Sequence, residues 1–239
     1  MIRRLRANQD GAHLGLMLAL TFSTGVIDAV GYLGLDRVFT GNMTGNVVIL
    51  GMALTGADDL PVLGPVVALA GFMLGAVVAG RVLRGVPRGW TNRTTALLTT
   101  VGVLILAVAA PTLALEDIGD IFPIVITATL GTAMGMQAAT ARRLAVQDVT
   151  TVVVISTITG LAADSMLGGA TKQQWRRRAG AVVLIGAGAA AGALALQVHL
   201  GLGMVLAVAL TLVVAVIGGL ARPRARDSDE APAGAVAEA

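Results

Sequence analysis

Apolar stretches of about membrane length, separated by short charged segments, recur along the whole chain. They fall at about 14–33, 38–56, 62–84, 95–115, 121–141, 146–163, 179–198 and 200–220. A helix needs ~20 mostly apolar residues to cross the hydrocarbon core, and six of the eight stretches meet that easily. Composition agrees: 56% of residues are apolar and 13% charged, against about 25% charged in soluble domains, and the mean hydropathy is +0.83. Disordered chains and ordinary cytosolic enzymes are excluded. The pI near 10.5 suggests nucleic acid, but the net charge is only +3, and the Arg residues sit in short clusters between apolar runs, as in oriented membrane proteins. The expected fold class is an all-α polytopic membrane protein in contact with the lipid bilayer, with no nucleic-acid partner.

The 239 residues contain no Cys and two His, His13 and His199, both at segment ends. Thiolate chemistry and a His-rich metal site are therefore not expected, and no cofactor is called for. The apolar run after Arg3, Arg4 and Arg6 is too long for a secretory leader. A chain rich in Ala, Gly, Val and Arg with a single Lys points to a GC-rich bacterium, and so to a bacterial plasma (inner) membrane.

Two stretches are unlike the rest. The second, Val38–Gly56, holds Asn42 and Asn46 among Thr and Gly; the sixth, from Val146, holds Gln147, Asp148, four Thr and Ser156. Unpaired polar groups cost several kcal/mol each in hydrocarbon, so both belong against protein or around a wet cavity. Charge decides how they thread. Four basic clusters, Arg3–Arg6, Arg81–Arg93, Lys172–Arg178 and Arg222–Arg226, hold most of the 17 basic residues, whereas Asp58/Asp59 and Glu116/Asp117/Asp120 stand in base-free loops. Eight crossings put Arg81–Arg93 outside. With the second and sixth stretches re-entrant or broken there are six crossings, both termini are cytoplasmic, every cluster and the Arg142–Arg143 pair lie inside, and only Arg37 lies outside.

Six crossings divide into two halves of three: a cytoplasmic N-terminus (1–13), a first membrane repeat (14–115), a second (121–220) and a disordered tail (221–239). Gly25-Val26-Ile27-Asp28-Ala29 parallels Gly135-Met136-Gln137-Ala138 with one gap, Thr40–Asn46 parallels Thr150–Ser156, and Gly71/Gly75 parallels Gly188/Gly192. Three crossings per half make the repeat inverted, an architecture common among transporters. The two glycine pairs read as close helix packing, and Trp90 and Trp175 as interfacial anchors.

The run Thr21-Phe22-Ser23-Thr24-Gly25-Val26-Ile27-Asp28-Ala29 through Tyr32-Leu33, followed by Val38-Phe39-Thr40-Gly41-Asn42-Met43-Thr44-Gly45-Asn46, resembles the YoaK-like family, as do Gly135–Ala138, Arg142-Arg143-Leu144 and Asp148 to Asp164. The resemblance covers about 14–220. It implies a bacterial six-helix inner-membrane protein of a family with no assigned function.

Asp28 lies about two-thirds along the first span, where a charge costs at least ~2.5–3.5 kcal/mol and needs a partner, water or a proton. It reads as a proton or cation site, or else as a lock between segments. Gly41 and Gly45 let the backbone turn among Thr40, Asn42, Thr44 and Asn46. A helix over 43–56, about 21 Å long, starts inside the membrane and offers its N–H groups to a solute. Tyr32, Gln137 and the second-half residues Thr150, Thr151 and Ser156 complete the candidate substrate-binding set. No metal-ligand set and no catalytic motif such as H-E-x-x-H, G-x-S-x-G or a P-loop occurs, so no enzyme is expected. The sequence favours an ion-coupled secondary transporter of a small polar or charged solute, with Asp28 carrying the coupling ion. A passive channel and a non-transport scaffold or sensor are the alternatives, and the sequence is compatible with a homodimer.

Overall fold

The computed structural model describes residues 9–87, 89–115, 119, 121–144 and 175–221. Among them are seven helices: α1 (Gln9–Gly34), α2 (Met43–Ala53), α3 (Leu63–Val82), α4 (Asn92–Ala114), α5 (Phe122–Leu144), α6 (Trp175–Val198) and α7 (Leu200–Ala221). Six are long and apolar enough to cross a membrane; α2 is not. The chain is an all-α polytopic membrane protein. The sixth apolar stretch of the sequence lies outside the described residues.

Glycine seams set the order of packing. Gly71 and Gly75 of α3 meet Ala128 and Thr132 of α5, while Gly131 and Gly135 of α5 meet Ala68 and Phe72 of α3. On the other flank, Gly25 of α1 meets Ile185 and Ala189 of α6, and Gly188 and Gly192 of α6 meet Phe22 and Val26 of α1. Along both seams the residue numbers rise together, so α3 runs parallel to α5 and α1 parallel to α6. The backbones touch because no Cβ intervenes. Between the seams, α4 packs antiparallel to α7: Gly201 meets Leu113, and Gly102 meets Leu212. α7 also packs on α1, and α5 on α4.

The two ends of the bundle differ in charge. At one end, Leu16, Trp90, Leu98, Ala141, Leu144 and Val214 form a buried cluster, which gathers the starts of α1 and α4 and the ends of α5 and α7. Arg81, Arg84, Arg93, Arg142 and Arg143 stand here. Two of them also close helix ends and loops: Arg93 Nη1 donates to the Val82 carbonyl at 2.8 Å, and Arg143 Nη2 donates to the Val86 carbonyl. A guanidinium on terminal carbonyls complements the helix dipole. At the opposite end Gly34 of α1 meets Leu196 of α6, and Gly64 in the first turn of α3 meets Val38; Asp58 and Asp59 lie in the loop before α3. The six spans therefore alternate in direction, and α1 ends where α3 begins.

Trp90 is not the exposed anchor that its place in a basic loop suggests. It is 5% exposed, stacks on His13 with ring centroids 6.0 Å apart, and donates from Nε1 to Thr95 Oγ1 at 2.9 Å. Gly218 makes room for it: a Cβ there would fall 1.9 Å from the indole. Trp90→Ala is expected to cost about 3–5 kcal/mol, the usual loss for emptying a buried indole, and to lower the melting temperature of purified protein. An unchanged melting curve would place the ring at the lipid interface after all. The side chain of Trp175 lies outside the described residues.

Candidate functional site

The site is built where the chain turns back after α1. Asp36 (φ 60) and Arg37 (φ 57) adopt left-handed backbone, a conformation uncommon outside glycine, and together they reverse the chain. Residues 38–42 then run back along the last two turns of α1. Gly31 permits this, since a Cβ there would stand 2.4 Å from the Val38 carbonyl oxygen. α2 thus begins at the depth of Asp28, well below the end of α1. It spans 11 residues, about 16 Å at 1.5 Å per residue, and stops at a turn closed by Gly56 (φ 75). The helix is three residues shorter than the sequence suggests, because Leu54–Gly56 form that turn.

Asp28 sits under the start of α2. Its Oδ1 accepts backbone N–H groups from Thr40 at 3.1 Å, Gly41 at 2.7 Å and Asn42 at 3.2 Å. Three successive amides converging on one oxygen make an anion nest, and bonds to a carboxylate are about twice as strong as neutral ones. The amides leading into α2 are therefore not an open seat for a solute anion; a carboxylate of the chain itself fills them. Asp28 is 8% exposed, and none of these bonds uses Oδ2.

The neighbouring candidates fall into place around it. Asn42 caps α2, its side chain accepting the Gly45 N–H at 3.3 Å. Asn46 is fully buried and both ends of its amide are committed to Phe39: Oδ1 accepts the Phe39 N–H at 2.9 Å, and Nδ2 donates to the Phe39 carbonyl. It holds the re-entrant backbone as a strand partner would. Gly45 lies against the Phe39 ring, which stacks on Tyr32 with centroids 4.9 Å apart. Thr40 is fully buried, and Tyr32 is 40% exposed. Thr44 is exposed. Thr150, Thr151 and Ser156 lie outside the described residues.

Gln137 reaches the same place from α5. Its Nε2 donates to Thr24 Oγ1 at 3.2 Å, and Thr24 stands one turn before Asp28 on α1. Gly41 lies between: a Cβ there would be 2.9 Å from Thr24 Cγ2, 3.3 Å from Asp28 Oδ1 and 3.4 Å from Met134 Cε. Thr24 and Met134 are thus part of the site, although the sequence reading passed over them. The i, i+4 spacing of Thr24 and Asp28 was the available signal. A second polar contact, Ser23 with Thr211 at 3.4 Å, joins α1 to α7. Away from the span ends, the described spans carry no ionisable side chain other than Asp28.

Comparison with known proteins places this geometry in a group without an assigned activity. Residues 16–217 match a family described as "Protein of unknown function (DUF1275)". The chain is similar to the UPF0700 transmembrane protein YoaK of Bacillus subtilis (strain 168), with 28% identity over 151 residues, covering 62% of this chain and 65% of that protein. The match thus spans just under two thirds of the relative's length. No solved structure matches.

Proposed function

The chain belongs to the DUF1275 family, and from that premise we propose that it is an ion-driven secondary transporter of a small polar or charged solute in a bacterial plasma membrane. Both termini are cytoplasmic, and the protein is not an enzyme. The observation that carries this reading is the junction at Asp28: the lone interior carboxylate of the described spans meets the start of a helix too short to cross. Broken helices that begin at membrane depth are where transporters place solute and coupling ion. An inverted repeat supports the reading. The α3–α5 seam corresponds to the α6–α1 seam, with Gly71/Gly75 matching Gly188/Gly192 and Gly135 matching Gly25. The spans of the two halves run in opposite senses, and the basic end faces the cytoplasm by the positive-inside rule.

A scaffold role is the second reading, favoured by the three amides on Asp28 Oδ1, which lock α2 to α1. Cysteine labelling separates the two, since the chain has no native Cys. Asp58→Cys is expected to react with an impermeant reagent from outside only, and Arg84→Cys from the cytoplasm only. In a transporter, Thr44→Cys in the first turn of α2 reacts from water. If Thr44→Cys stays unlabelled from both faces while the other two behave as stated, the junction is dry and the scaffold reading stands.

A further inference from the structure

One buried hydrogen-bond acceptor is left over beside the Asp28 junction. The Thr24 hydroxyl donates to the Leu20 carbonyl at 2.9 Å, and Thr24 Oγ1 accepts from Gln137 Nε2. The NH2 of Gln137 faces Thr24, and Oε1 is the amide atom left over. Gln137 is 1% exposed, and its Oε1 is buried without a hydrogen-bond partner. A buried acceptor left unmade costs about 1–3 kcal/mol, so a donor supplied there in one state of the site stabilises that state. Asp28, one turn from Thr24, has Oδ1 saturated by three amides and Oδ2 outside those bonds. Gln137 is thus tied, through Thr24, to the turn of α1 just before Asp28, and an O–H on that carboxylate would supply the donor that Oε1 lacks.

We infer that the coupling ion is a proton, carried on Asp28 Oδ2, and that Gln137 Oε1 on α5 is the acceptor that receives the resulting O–H. This rests on the transporter reading for its purpose, though not for its chemistry. The proton comes from water, the carboxylate becomes a neutral acid, and no other bond changes. Protonation at Oδ2 leaves Oδ1 free to keep its three amides, so α2 stays docked in both states. A proton needs one carrier oxygen and one acceptor, whereas metal ions take four to eight ligands. Among the described residues no other ionisable group faces the pair. α2 has none, α5 none before Arg142, α6 none from Ala179 to Val198, and α7 none; Asp36 and Arg37 stand in the exposed turn above. The pair joins α1 to α5, the first spans of the two halves, so the charge state of Asp28 sets a contact between them. Gln137 is a positioning residue here.

The test is pH-difference infrared spectroscopy on the full-length protein in liposomes, with no solute present. On acidification, the wild type is expected to show a carboxylic acid band that Asp28→Asn removes. Gln137→Leu keeps the band but moves it to higher wavenumber, because its O–H has lost its acceptor. Ser23→Ala, at the α7 contact, leaves it in place. Where the leucine variant does not fold, Gln137→Met makes the same test with a closer shape. A band that stays fixed in the Gln137 variants, or the absence of any Asp28 band, overturns the proton pair. Because the readout involves no transport, a chain that moved no solute still shows the band, and a chain that took up solute without it loses only this inference.

Discussion

Replacing Gly75 with leucine is expected to abolish folded protein, and alanine at the same position to come close to doing so. A Cβ at Gly75 would stand 1.9 Å from the Thr132 carbonyl oxygen and 2.8 Å from its carbon. Both atoms are helical backbone, so they cannot swing aside as a side chain could. From the other helix, Gly135 is held the same way, 2.0 Å from the Phe72 carbonyl oxygen. Opening the α3–α5 seam by even 1–2 Å forfeits much of the dispersion contact along it, and in lipid no hydrophobic force replaces what is lost. Gly188→Ala is expected to do the same to the α1–α6 seam, where the Phe22 carbonyl oxygen lies 2.1 Å from the added carbon. Gly80→Ala is the control: it lies in α3 with nothing within 4 Å, and trading a helical glycine for alanine is neutral or stabilising by about 0.5–1 kcal/mol. The measurement is the yield of monodisperse protein in detergent and its melting temperature. Normal yield and melting for Gly75→Leu would show that α3 and α5 do not pack as described.

Those seams also show how far the sequence could be read. Gly71/Gly75 and Gly188/Gly192 stand out as small-xxx-small pairs, because helix geometry puts i and i+4 on one face. Which helix each pair meets is a tertiary fact, though Gly25 and Gly135, aligned from sequence, lie on the two helices that face the pairs. Loop charge predicted six crossings for the same reason it orients membrane proteins: cytoplasmic Lys and Arg bias insertion. The site was legible in outline, with Asp28, Gly41 and Asn42 named together. What escaped was how the polar groups satisfy one another. A carboxylate in an apolar run and a helix start with free amides were each visible, but that the first fills the second depends on the Asp36–Arg37 reversal, which places residues 40–42 beside Asp28. The pairing of Asn46 was hidden for the same reason: its partner, the Phe39 backbone, becomes a neighbour only after the chain has folded back. Trp90 was misread because a Trp in an Arg-rich loop is the usual anchor pattern, and only Gly218, far away in sequence, marks the slot that buries it.

Asp28 separates structure from transport more sharply than any other residue, because two substitutions act on different oxygens. Asp28→Ala strips the acceptor from the Thr40, Gly41 and Asn42 amides together. Each buried donor left without a partner costs about 1–3 kcal/mol. The loss is therefore expected to be about 3 kcal/mol or more, which is a large share of the 5–15 kcal/mol that holds a typical protein together. The variant should melt far below wild type and accumulate poorly. Asp28→Asn keeps a carbonyl oxygen where Oδ1 stands, so the nest stays filled, by a neutral acceptor with roughly half the strength. It is expected to fold, with only a modest fall in melting temperature. What it cannot do is gain and lose a proton. In the transporter reading, uptake driven by an ion gradient then disappears from a protein that is present and folded. Measured side by side in proteoliposomes, the two variants yield one of three patterns. Loss of stability in alanine with loss of uptake in a folded asparagine variant supports a carboxylate that both docks α2 and carries the coupling charge. Loss of stability in alanine with uptake intact in asparagine leaves Asp28 a lock and removes it from coupling. Equal stability of all three proteins would show that the amides of residues 40–42 do not depend on this carboxylate, and the site as built from them would fall.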